Sequence, residues 1–136
     1  MKSILPLVCT LALTALACGA KPASVAINPI SGNVFATHEA NLHSCEPGVK
    51  NCTEQKLSFQ PVSAAVGQDG GLVFLTSSAI HRCDDAGQNC SETKLPIGDA
   101  VGVSVAASGQ VVVVSSKGGI AVCDNAGCQK ADPSKK

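Results

Sequence analysis

Polar and apolar residues alternate along Val101-Gly102-Val103-Ser104-Val105, with the period of two expected of a strand that has one face in a core. Further on, Val111-Val112-Val113-Val114 is apolar throughout, and so is Leu72-Val73-Phe74-Leu75. Short apolar runs rich in β-branched residues and bounded by glycine predict central strands buried on both faces. A helical reading is poor, because β-branched residues and glycine both lower helix propensity. The same criteria place strands at Val25-Ala26-Ile27, Val34–Thr37, Leu42–Cys45, Val62–Val66 and Ile80–Cys83. The polar segment Thr53–Leu57 suits an edge strand. Turns fall between the runs, at Asn28–Asn33 with Pro29 and Gly32, at Gln68-Asp69-Gly70 and at Ser108-Gly109.

The pattern is periodic on a longer scale. A shift of thirty-eight residues puts Gly32 on Gly70, Leu42 on Ile80, His43 on His81 and Cys45 on Cys83. Without a gap it also puts Asn51 on Asn89, Cys52 on Cys90, Glu54 on Glu92 and Leu57 on Leu95. A third copy, with one or two extra residues and then a shortening, carries Gly109, Ile120, Cys123 and Cys128 at the same places. A fixed period in this range marks a repeat architecture. The expectation is one all-β domain over residues 25–131, made of three antiparallel repeats (25–61, 62–100 and 101–131) of about four strands each. The first strands of copies one and two are out of phase, which predicts a bulge or a shifted boundary there.

The blade-like pattern is a strand, an Asp/Ser-Gly turn, an apolar strand, a glycine-containing turn, an Ile, and a strand ending in Cys-Asp. The clearest copy is Gly109-Gln110-Val111-Val112-Val113-Val114-Ser115-Ser116-Lys117-Gly118-Gly119-Ile120-Ala121-Val122-Cys123-Asp124. This unit resembles one blade of a β-propeller. The chain is most similar to secreted bacterial propeller-repeat lipoproteins whose blades carry local cysteine pairs. The resemblance implies a partial propeller and brings no catalytic residues with it. The Trp-Asp dipeptide of the commonest blade type is missing. Propellers close with about four to eight blades, and three blades leave two open sheet faces. The resemblance therefore implies either a homodimer that completes a six-bladed ring or an open stacked array. A β-trefoil is the rival fold, since it also has three four-stranded repeats and closes as a monomer.

Chain ends and cysteines add a location. Lys2 precedes an apolar run over Ile4–Leu16, too short to span a bilayer as a helix, and small residues follow it. Residues 1–17 are read as a signal peptide, 18–24 as a linker and 132–136 as a tail. Ala15-Leu16-Ala17-Cys18 resembles a bacterial lipobox, which makes Cys18 the lipidation site and the membrane a partner through the lipid. Cleavage after Ala17 or Ala20, giving a secreted soluble chain, is the alternative. Cys9 leaves with the leader, and the six remaining cysteines form one pair per repeat. An oxidising compartment favours the local disulfides Cys45–Cys52, Cys83–Cys90 and Cys123–Cys128.

Composition narrows the partners. Ten basic and ten acidic residues balance, and only Lys135-Lys136 cluster. That argues against nucleic acid, which calls for a basic patch. With no Trp or Tyr and three Phe, there is little material for aromatic stacking platforms.

The chemical candidates are few. His43-Ser44-Cys45 and His81-Arg82-Cys83 place an imidazole beside a cysteine on one strand face. Such a pair is a candidate copper or zinc ligand set, or a Cys–His nucleophile. The bland reading is a copied blade position, and the third copy has Ala121 there. Asn51-Cys52-Thr53 and Asn89-Cys90-Ser91 match the N-glycosylation sequon, which is coincidental in a bacterium. Asp69 and Asp84-Asp85 hint at calcium, and turn chemistry explains them equally well. The function expected is a membrane-anchored, disulfide-stapled binding module for a protein or glycan, non-enzymatic and without a cofactor. A periplasmic metal or redox protein using His43 and His81 is the alternative.

Overall fold

The computed structural model describes residues 23–131. The leader, Cys18 and the tail 132–136 fall outside the described residues. Twelve strands follow in chain order. The first four are β1 (Ala23–Ile27), β2 (Val34–His38), β3 (Asn41–Glu46) and β4 (Lys50–Lys56). Next come β5 (Ser63–Val66), β6 (Leu72–Leu75), β7 (Ala79–Cys83) and β8 (Ser91–Lys94). The last are β9 (Ala100–Val105), β10 (Val111–Ser115), β11 (Ile120–Asp124) and β12 (Gly127–Ala131). Each consecutive four form one antiparallel sheet in chain order, so each repeat is a complete meander. A trefoil is not what forms, because no strand is lent from one repeat to the sheet of another.

The phase slip between the first two copies is a shifted boundary. Ile27 pairs with Val34, Val66 with Leu72 and Val105 with Val111. The first turn therefore spans residues 28–33, one more than the turns at 67–71 and 106–110. Asn28 sets the longer turn. Its side-chain Oδ1 accepts from the Ile30 and Ser31 N–H groups at 2.8 and 3.2 Å, and its own N–H donates to the Asn33 carbonyl at 2.9 Å. In all three turns the aligned glycine, Gly32, Gly70 or Gly109, sits at a φ of 80°, 90° or 91°, where a side chain is disfavoured.

The sheets stack face to face through two apolar layers. In β6, Leu72 and Phe74 point toward the first sheet and join Ala26, Phe35, Leu42 and Leu57. Val73 and Leu75 point the other way and join Ile80, Val111, Val113 and Ala121. The middle sheet is thus covered on both sides, as its unbroken apolar run predicts. The run Val111–Val114 is not. Val111 and Val113 are fully buried, whereas Val112 and Val114 keep 38% and 41% of their surface exposed. A continuous apolar run reports that both faces are apolar. Whether both are covered depends on how many sheets flank the strand, and the third sheet has one neighbour in the chain. The alternation in β9 also breaks: Gly102 pairs with Val114 and Ala100 with Ser115, so Val101 is the extra residue of a bulge and turns outward, 51% exposed.

Candidate functional site

Antiparallel order sends two kinds of loop to one end of the molecule. The β5–β6 and β9–β10 turns lie there, and so do the loops that follow β3, β7 and β11. Those last three loops are the disulfide-closed ones. Cys45–Cys52, Cys83–Cys90 and Cys123–Cys128 are bonded, with Cα atoms 4.0, 4.0 and 3.9 Å apart. The residue before each second cysteine has a positive φ: Asn51 at 49°, Asn89 at 54° and Gly127 at 139°. Asn tolerates that conformation better than most residues with a side chain. The two sequons thus mark a backbone requirement. Their amides are also engaged, Asn51 Nδ2 donating to Glu46 Oε1 at 2.9 Å and Asn89 Nδ2 to Asp84 Oδ2 at 2.8 Å.

The acidic residue after each first cysteine ties its loop. Asp84 Oδ1 accepts from the Gln88 N–H at 2.8 Å and the Ala86 N–H at 3.0 Å, and Asp124 Oδ1 accepts from the Ala126 N–H at 2.8 Å. The donors at Gln88, Asn89 and Ala86 hold the Asp84 carboxyl below the usual carboxylate range. Asp69 caps the Gly71 N–H at 3.0 Å. Asp69 and Asp84, two of the acidic side chains that hinted at calcium, thus serve turns. Among the described residues no three His, Cys, Asp or Glu side chains converge as a metal-ligand group.

Between the second and third sheets this rigid end opens into a cleft of about 430 Å³. Its apolar lining includes Val73 and Val105, and its polar lining Gln68, Asp69, Ser108 and Asn125. Arg82 stands in one wall, and its Nη2 donates to the Asp124 carbonyl of the third sheet at 3.3 Å. Sequence reading passed over this cleft, since its residues come from two repeats and none carries distinctive chemistry alone. A second, shallower cleft of about 370 Å³ lies at the opposite end, with Ile97, Lys117 and Lys130.

The histidines are not brought together. His43 lies on the outward face of the first sheet, opposite Ala36 on β2 and Glu54 on β4, with Nε2 3.5 Å from Glu54 Oε2. His81 faces the first sheet and stacks on Phe59, ring centroids 3.8 Å apart and planes 9° from parallel. Burial there lowers the His81 pKa, partly offset by Glu92, its cross-strand partner. The neighbouring sulfurs of Cys45 and Cys83 are in disulfides, so neither side chain offers a thiolate to a metal or an electrophile. The pairing His43 with Glu54 and His81 with Glu92 was available from the repeat, since both glutamates align.

No protein-family model and no curated protein matches the chain. Solved structures do match it. A regucalcin, a calcium-binding protein from Agrobacterium tumefaciens strain C58, superposes with a TM-score of 0.61 at 16% identity, over 82% of this chain and 42% of that one. Ycf48, solved bound to a D1 peptide, superposes with a TM-score of 0.53 at 19% identity, over 83% of this chain and 40% of that one. Both are β-propellers. This chain has a β-propeller-like fold. Its three blades span about two-fifths of the length of the propellers it matches. The three disulfides among the described residues are in keeping with an exported protein.

Proposed function

We propose that this chain is a lipid-anchored binding module of the bacterial cell envelope, and that a polypeptide segment occupies the cleft between its second and third blades. The observation that carries the reading is the cleft itself, lined by apolar and polar side chains at the end that carries the three disulfide-closed loops. Concave sites with a few convergent polar groups are where ligands bind. A polypeptide is favoured over a glycan because no aromatic ring lines the cleft on which a sugar could stack. Phe35 and Phe74 are buried in the first apolar layer, and Phe59 is held against His81. Ycf48, similar in fold alone, offers a precedent for a peptide on this architecture. The anchor reading rests on Ala15-Leu16-Ala17-Cys18. The chemistry is binding without turnover, and no cofactor is invoked.

Two measurements test this. Cys18→Ser should move the protein from the membrane fraction to the soluble one, and a wild-type protein already soluble would refute the anchor. A library of synthetic peptides should yield binders whose affinity falls at least tenfold when Asn125→Trp or Ser108→Trp fills the cleft. Lys117→Ala at the opposite end should leave them unchanged. Binding indifferent to the cleft variants would refute the site.

A further inference from the structure

Every sheet-to-sheet junction in this chain uses the same two faces. Phe35 of the first sheet meets Leu72 and Phe74 of the second. Val73 and Leu75 of the second meet Val111 and Val113 of the third. Phe35, Val73 and Val112 each stand second in their strands β2, β6 and β10, and Val34, Leu72 and Val111 stand first. Each junction therefore joins the second-residue face of one sheet to the first-residue face of the next.

One face of each kind is left over. On the third sheet it is Val112 and Val114, with Val122 and Ile120 opposite them on β11. On the first sheet it is Val25 and Ile27, 65% and 59% exposed, with Ala36 and Val34 opposite them on β2. Isolated apolar residues on a surface need no explanation, but two contiguous β-branched faces on one small domain do.

We infer that these faces are the two halves of one further junction, and that a second copy of the chain supplies the missing half. The third sheet of each copy packs on the first sheet of the other, closing a ring of six sheets through two identical heterologous contacts. The open pair has the chemistry of the junction between the second and third sheets, apolar against apolar with β-branched residues at the centre. His43 on the first sheet is no obstacle. His81 occupies the equivalent position on the covered face of the second sheet and is accommodated by stacking on Phe59. Three sheets match 42% and 40% of two propeller chains, so a closed ring needs at least as many sheets again as this chain has. The inference concerns assembly and is independent of the ligand cleft.

Sedimentation of the full-length exported protein in mild detergent, without reductant, is the test. The expected mass is twice that of one chain, apart from bound detergent and lipid. Val112→Glu with Val114→Glu should halve it while leaving the circular dichroism intact and the unfolding cooperative, with a midpoint independent of protein concentration, because both side chains are exposed in the single chain. Orientation is read from mixed copies. Val114→Cys in one copy should cross-link to Ala36→Cys in the other, and Val114→Cys alone should give no cross-linked pair. Three results would overturn the ring: a single chain at every concentration, mass that grows past two chains with concentration, or self-linking of Val114→Cys.

Discussion

Valine truncation at three positions separates what strand chemistry looks like from what the stack of sheets does with it. Val112 and Val113 are neighbours in one strand, and Val73 is the repeat counterpart of Val112. Val113 is fully buried and Val73 is 5% exposed, while Val112 is 38% exposed. Val→Ala removes about two methylenes at about 0.8 kcal/mol each, and a residual cavity adds to that. Val113→Ala and Val73→Ala should each cost about 2 kcal/mol. In the single chain, Val112→Ala should cost about 0.5 kcal/mol or less, as substitutions near the surface do. Urea unfolding of non-reduced protein reads this directly. With a slope of about 2 kcal/mol per molar, the buried variants shift the midpoint by about 1 M and the exposed one by a quarter of that. Carrying Val114→Glu as a common background keeps the protein as single chains. Without that background the midpoint depends on protein concentration, and Val112→Ala should lower it further by weakening association of the two copies. If Val112→Ala costs as much as Val113→Ala in the Val114→Glu background, the outer face is covered within the chain and the three-sheet stack is wrong.

Removing one disulfide by Cys83→Ala with Cys90→Ala should cost about 2 kcal/mol from loop closure, measured by the same unfolding; no change would mean the loop is held by its hydrogen bonds alone. Asn89→Gly should be less harmful than Asn89→Ala by about 1 kcal/mol, because both lose the bond to Asp84 and only alanine strains at a φ of 54°. The opposite order would reject the backbone account of the sequon. For His81, burial puts the folded pKa below the ordinary 6.5, so the unfolded chain binds more protons as pH falls through that value. Stability should therefore be full above pH 6.5, decline below it, and level off beneath the folded pKa, and His81→Gln should flatten that decline. An imidazole titrating above 6.5 by NMR would refute it.

Much of the architecture is local in origin and was legible for that reason. Apolar runs between Gly, Asp and Ser set the first three strands of each sheet, the fourth being polar, and the aligned Gly32, Gly70 and Gly109 set the turn at which each sheet folds back. The cysteines recur close together in each copy, which leaves little choice of partner. Each of these features is decided by neighbours within one repeat. The chain as a sequence left open whether the repeats close as a trefoil or stand as separate blades, because identical units fit both. Stacking decided it, and with it the fate of chemically similar strands: β6 is buried on two faces and β10 on one, though both are unbroken apolar runs. The cleft belongs to the same class. Arg82, Val105 and Asn125 come from different strands and loops, and only the packing of the second blade on the third brings them to one site. Burial is a property of a residue's surroundings in space, so a repeat reveals which faces are alike and the stack alone determines which of them meet.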